Sequence, residues 1–288
     1  MLYLQVILNG LVLGGIYACI AVGFSLVWGV LNVINIMHGS LIVLGSYVAY
    51  MAHAAFGISP FVSILFIAPA FFLLGYVIEL VLINRIVTAP VLLTLTLTFG
   101  LDLILINGML VGFSADFKRL TLDPPLGTLS FGGLALPVDR LVAMVLAIAL
   151  TGLLYLILSR SRIGRAISAV RMDREAAMLM GVNVNHVNSV TFGLGTMMAG
   201  VAGALLAMIF PIYPLLGYTY LGKAFVICVL GGLGSIPGAL LGGIVLGEVE
   251  SFGAIWFGPE HAVTLSFALL ILVLLFRPEG LLGRKGFA

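Results

Sequence analysis

Charge is what this sequence has least of. Only 8% of its 288 residues are Asp, Glu, Lys or Arg, against about 25% in a soluble domain, so water is excluded as the solvent for most of the chain. Its thirteen basic and eleven acidic residues leave a formal charge of +2, and the basic ones fall in short connecting segments, so a nucleic-acid-binding face is excluded too. Cysteine is nearly absent: Cys19 and Cys228 both sit in apolar runs, where a buried apolar role fits and no disulfide or metal spacing exists. His53, His186 and His261 have no ligand partners at usable spacing, so no metal site is expected. No basic segment precedes the first apolar run, which continues to Trp28 without a small-residue cleavage site; it reads as a first span and not as a signal peptide. No nucleophile, base or metal constellation supports an enzyme.

What is present in abundance is apolar length, 62% of residues being hydrophobic. A helix crossing about 30 Å of hydrocarbon needs roughly 20 apolar residues, and plain candidates lie near 6–29, 36–55, 60–83, 90–113, 139–159, 187–210 and 262–276. An eighth apolar stretch, 223–252, is interrupted by Gly231-Gly232-Leu233-Gly234-Ser235-Ile236-Pro237-Gly238, where glycines and a proline disfavour an unbroken helix. Two shorter segments joined by a bend are expected, and such a break persists in a bilayer only against protein or a watery cavity. The fold class is therefore an all-α integral membrane protein, a polytopic helical bundle of about eight or nine transmembrane segments forming one unit over 1–288, with one segment broken or re-entrant.

Basic residues orient it. One set of connections holds Arg85, Arg160, Arg162, Arg165, Arg171, Arg174, Arg277, Arg284 and Lys285; the other holds only Lys118, Arg119, Arg140 and Lys223. The positive-inside bias places the first set, and the C-terminus, in the cytoplasm. If the broken segment crosses twice, nine crossings leave the N-terminus outside; a re-entrant bend changes that count. The outer loop 114–138 contains Asp123-Pro124-Pro125 and a Phe131-Gly132-Gly133 turn signal and reads as an ordered loop or short hairpin.

The cytoplasmic loop 160–186 is the most polar stretch. Ile163, Ala166, Ile167 and Val170 recur at helical spacing among arginines, which predicts a short amphipathic helix. Asp173 stands where an N-cap belongs, Glu175 to Met180 are helix formers, and Gly181 suits the left-handed residue that ends a helix. Two stubby helices projecting between spans form a knob suited to a partner's groove. Here Glu175-Ala176-Ala177-x-x-x-Gly181 resembles the EAA loop of ABC-importer permeases. Gly164-Arg165-Ala166-Ile167 through Gly181-Val182-Asn183, Asn35-Ile36-Met37-His38-Gly39-Ser40, the 231–238 glycine segment and Phe276-Arg277-Pro278-Glu279-Gly280-Leu281 are together similar to branched-chain amino acid permeases, in the same order over nearly the whole chain.

Within that family the chain resembles the shorter of two related permease subunits. The resemblance implies a multi-pass protein of the bacterial inner membrane that forms half of a pathway. A second permease subunit, two cytoplasmic ATP-binding cassette subunits and an external substrate-binding protein would complete it. It also implies no cofactor in this chain, ATP and Mg belonging to the ATPases. Gly217 to Lys223 matches phosphate-loop spacing, but Ala224 stands where a magnesium-ligating Ser or Thr is needed, so the match reads as chance.

On this reading Gly164, Arg165, Arg171, Asp173, Glu175, Ala176, Ala177 and Gly181 form the ATPase-coupling loop, the bland alternative being solvated loop charges. Pathway candidates are Asn35, His38, Thr94, Thr96, Thr98, Asp102, Gly231, Gly234 and Ser235. Six of them have a competing structural use: a hydrogen bond between helices for Asp102, bonds back to their own helix for the threonines, and capping of a broken helix for Asn35 and His38 together with Asn32. Glu79, Asp102, Glu248 and Glu250 lie in or at the ends of spans and are expected to face a cavity or partner, Glu79 pairing with or anchoring near Arg85. Gly10 with Gly14, Gly238 with Gly242, and Gly243 with Gly247 give the spacing that lets membrane helices approach closely, within the chain or in a permease dimer. Permeases for urea or short amides, and autonomous ion-coupled carriers, are the alternative functions; no filter motif suggests a channel.

Overall fold

The computed structural model describes residues 2–282 apart from 88, 123–126, 132 and 278. The Asp123-Pro124-Pro125 turn, Gly132, Pro278, Arg284 and Lys285 lie outside that set. Seven described helices are long and apolar enough to cross a membrane: α1 (Leu2–Leu31), α2 (His38–Phe56), α3 (Pro60–Val81), α4 (Val91–Phe113), α5 (Val138–Arg160), α8 (Val184–Leu206) and α10 (Ile236–Trp256). Two shorter apolar helices, α9 (Leu216–Gly231) and α11 (Ala262–Phe276), complete the bundle. Between α5 and α8 lie α6 (Arg162–Met172) and α7 (Arg174–Leu179). The expected hairpin is β1 (Thr128–Phe131) paired antiparallel with β2 (Leu134–Pro137).

α1 is the axis of the bundle, with Ile16 to Val22 wholly buried. Glycine allows its closest approach. A Cβ on Gly14 would lie 2.6 Å from Ile244 Cα, and one on Gly243 2.6 Å from the Ala18 amide nitrogen. Gly10, Gly14, Gly243 and Gly247 therefore pack α1 against α10, while Gly238 and Gly242 pack on Gly231 and Ile227. All three small-residue pairs close contacts within this chain. With lipid as apolar as leucine, such contact is what associates helices in a bilayer.

The expected break falls at 232–235, between α9 and α10, and is a turn between two helices. α9 starts at Leu216, seven residues before the expected stretch, which moves Lys223 from an outer loop into a helix. α2 starts unconventionally. The His38 ring bonds the Ile20 carbonyl at 3.0 Å, and Ile20 lies eleven residues before the end of α1, about 16 Å at 1.5 Å per residue. Residues 32–37 thus climb beside α1 as irregular backbone before α2 forms.

The two faces of the bundle are distinct. Gln5 exchanges two 2.9 Å hydrogen bonds with the backbone of Ala135, fixing the start of α1 to the hairpin. At the other face, Leu281 donates to the Leu230 carbonyl (2.7 Å) and Leu282 to that of Gly231 (3.1 Å), beside α6. Among the described residues the apolar helices thus begin at the hairpin face with α1 and end near α6 after α11.

Candidate coupling surface and interior polar sites

α6, α7 and the following α8 each start at a side-chain cap. Ser161 Oγ accepts from the Gly164 amide (3.0 Å), Asp173 Oδ1 from Ala176 (2.9 Å) and Asn183 Oδ1 from His186 (3.1 Å). Gly181 has φ +83°, and the Gly181 and Val182 amides bond back to Met178 and Ala177, so the expected left-handed stop is present. Gly164 is buried where α6 turns off α5, against the Leu158 carbonyl with no room for a Cβ. Arg165 is exposed and donates to the Arg160 carbonyl (3.3 Å). Ala177 is buried, whereas Glu175 and Ala176 are exposed. Around them Leu179 is 89% exposed, Met180 84% and Met172 81%. That apolar tip went unremarked in the sequence because Met178 to Met180 read there only as helix formers.

Arg171 leaves the knob and reaches the glycine turn: its Nη1 donates to the Gly234 carbonyl at 2.8 Å. Gly234 has φ +76°, and a Cβ there would lie 2.9 Å from Arg171 Nη2 and 3.1 Å from Gly29 Cα. Gly231 packs against Gly238, and Ser235 caps α10 by accepting from the Gly238 amide (3.1 Å). A cavity of about 780 Å³ lies beside this junction, walled by Leu26, Val30, Leu158, Leu233 and Leu274 with Arg171 at its edge. Gly234 thus meets α6 through Arg171, with Gly231 and Ser235 beside it at the same turn.

The remaining pathway candidates form a second group. Thr94, Thr98 and Asp102 share the buried face of α4. Thr94 bonds back to Val91 (2.8 Å) and Thr96 to Leu92 (2.8 Å), and Thr96 is exposed, away from the other three. Thr98 does more: its hydroxyl donates to the Ile34 carbonyl (2.8 Å) and accepts from the Ile36 amide (3.4 Å). It thereby supplies partners that irregular backbone at membrane depth cannot take from lipid. Ser40 of α2 donates to the Asp102 carboxylate. Asn35 and His38 are buried in the same region, yet no side chain caps α2; the Asn35 carbonyl accepts from the His38 amide instead.

Two buried acids found partners that the sequence did not indicate. Glu79 accepts from Ser189 on α8, and the expected pairing with Arg85 is not among the ion pairs of the described residues. Glu250 forms an ion pair with Lys223 (2.8 Å) and also accepts from Tyr17 (2.8 Å) and Ser266 (2.7 Å), joining α1, α9, α10 and α11. Lys223 donates in addition to the Tyr17 hydroxyl (2.7 Å). The Gly217–Lys223 segment is helix, not a phosphate loop. No group of three or more metal-ligating side chains occurs among the described residues.

Similar proteins agree along almost the full length. The profile of the family described as branched-chain amino acid transport system / permease component matches residues 6–274. The chain is 37% identical over 298 residues to the high-affinity branched-chain amino acid transport system permease protein BraD of Pseudomonas aeruginosa, covering 98% of this chain and 96% of BraD. It is 28% identical over 296 residues to the LivM permease protein of Escherichia coli, covering 93% of this chain but 68% of LivM, so its length is that of the BraD type. Among solved structures, PsaBC from Streptococcus pneumoniae in complex with Fab shares the fold, with a TM-score of 0.51 at 15% identity over 94% of this chain and 91% of that one. The chain belongs to the branched-chain amino acid transport system permease family, as a membrane subunit of the shorter type.

Proposed function

We propose that this chain is one of two related permease subunits of an ABC importer for branched-chain or other apolar amino acids. It would form half of the pathway, driven by two cytoplasmic ATPases that hold ATP and Mg and fed by an external binding protein. The observation that carries the reading is the α6–α7 knob: two capped helices that put Met172, Leu179 and Met180 into solvent around Glu175 and Ala176. An exposed apolar tip on a rigid projection is a protein-docking feature, because solvent gives those side chains no stabilising contact. Orientation follows the basic residues. Arg85, Arg160, Arg162, Arg165, Arg171, Arg174 and Arg277 gather near the knob face, while Lys118, Arg119 and Arg140 are at the hairpin face once Lys223 is placed inside the bundle. Positive-inside bias then puts the knob and the C-terminal segment in the cytoplasm of a bacterial inner-membrane protein.

Reconstitution tests it. In vesicles, the chain alone with a sodium or proton gradient should accumulate no leucine, and uptake should appear only when the second permease, ATPases, ATP and binding protein are added. Uptake by the chain alone would instead identify an autonomous ion-coupled carrier, and accumulation of urea or short amides in place of leucine would replace the substrate.

A further inference from the structure

Three separate parts of the chain converge on the turn between α9 and α10. Gly29, near the end of α1, touches Gly234 so closely that a Cβ on Gly29 would lie 2.6 Å from Gly234 Cα. The C-terminal segment docks by two backbone bonds onto Leu230 and Gly231, and Gly280, at φ +78°, lies against Gly232. The third part is the coupling knob, through the 2.8 Å bond from Arg171 to the Gly234 carbonyl.

The turn is therefore clamped on the α1 and C-terminal sides, and it is tied to the knob by a guanidinium. The cavity of about 780 Å³ beside it gives Leu233 and its neighbours room to shift. From the turn, α9 runs as one uninterrupted helix of 16 residues, about 24 Å at 1.5 Å per residue. At its far end Gly217 packs directly on Gly39, a Cβ on Gly217 lying 2.8 Å from the Gly39 carbonyl carbon. Gly39 adjoins Ser40, which holds Asp102. α9 is thus a rod with one end at the knob and the other at the polar group inside the membrane.

We propose that Arg171 is the positioning residue that carries movement of the α6–α7 knob into the Gly231–Ser235 turn, and that α9 delivers it to the α2–α4 contact at Gly39, Ser40 and Asp102. The guanidinium suits this task because it is a planar fork that keeps its charge and gives a directed bond to a carbonyl. A direct tie of this kind transmits displacement only if both elements move together, so its removal separates ATP hydrolysis from transport without removing either protein surface.

This inference rests on the importer reading and is tested apart from it. The complete complex carrying Arg171→Ala or Arg171→Lys is assembled in vesicles, and ATPase co-purification, ATP hydrolysis and leucine uptake are measured beside the wild type. Arg171→Ala is expected to retain its ATPases and hydrolyse ATP while uptake per ATP falls about tenfold, within the usual range of coupling between sites. Arg171→Lys, which still offers one donor to Gly234, should recover part of the ratio. An unchanged ratio in Arg171→Ala, or equal loss of assembly, hydrolysis and uptake that lysine does not relieve, overturns the relay. A wild-type complex that transports without ATP overturns the importer reading itself, and the relay with it.

Discussion

At the scale of single residues, the bilayer makes each buried polar group a commitment. Lys223 and Glu250 show the terms: their side chains are 11% and 5% exposed, and both carboxylate oxygens are occupied, one by Lys223 and Tyr17 and the other by Ser266. Such a pair adds little over an apolar replacement of the same volume, but removing one partner strands the other charge. Glu250→Gln or Lys223→Met should therefore destabilise the purified protein by about 3–5 kcal/mol, read as a lowered thermal midpoint in detergent. The Lys223→Met/Glu250→Leu double variant should recover most of the loss. If the double variant is as unstable as either single one, the pair is not what holds those four helices together. The sequence marked Glu250 as an acid in need of a cavity or partner but did not identify Lys223, which looked like a loop charge because the start of α9 is set by packing against α2.

At the scale of elements, local signals and packing signals separate. α6 and α7 were legible because caps and helical spacing involve residues three or four apart, and their chemistry acts before any tertiary contact forms. α7 is only six residues long, too short to persist on its own, so its cap should matter more than usual. Asp173→Ala should cost α7 about 1 kcal/mol, seen as roughly fivefold faster amide hydrogen exchange over 174–179 with α8 unchanged. Exchange that stays at the wild-type rate would show that packing of Ala177 alone holds the helix. The start of α2 was not legible in the same way. Residues 32–37 stay irregular because Thr98, some sixty residues later, supplies the hydrogen bonds a helix would have made, and no local pattern announces a partner at that distance.

At the scale of the whole molecule, the hairpin and the knob mark opposite faces of the bundle. Leu129 on the hairpin and Leu179 on the knob are both well exposed, while Cys19 and Cys228 are buried and free, so single introduced cysteines report sidedness against a quiet background. A membrane-impermeant thiol reagent added to intact cells should label Leu129→Cys and leave Leu179→Cys untouched until the membrane is opened. The reverse pattern would invert the molecule and end the proposed coupling role of α6 and α7. The sequence by itself determined an apolar bundle of about eight or nine segments, the glycine break, the uneven placement of arginines and the capped knob, because hydropathy, charge and capping are properties of neighbouring residues. Only the tertiary structure decided that Lys223 belongs inside, that the small-residue pairs close α1 onto α10 and α9 onto α10 within one chain, and that Arg171 ends on Gly234. The reason is physical: helices built for lipid are apolar on nearly every side, so their pattern does not say which face meets which, and the choice falls to close glycine contacts and to a few polar groups that must find each other.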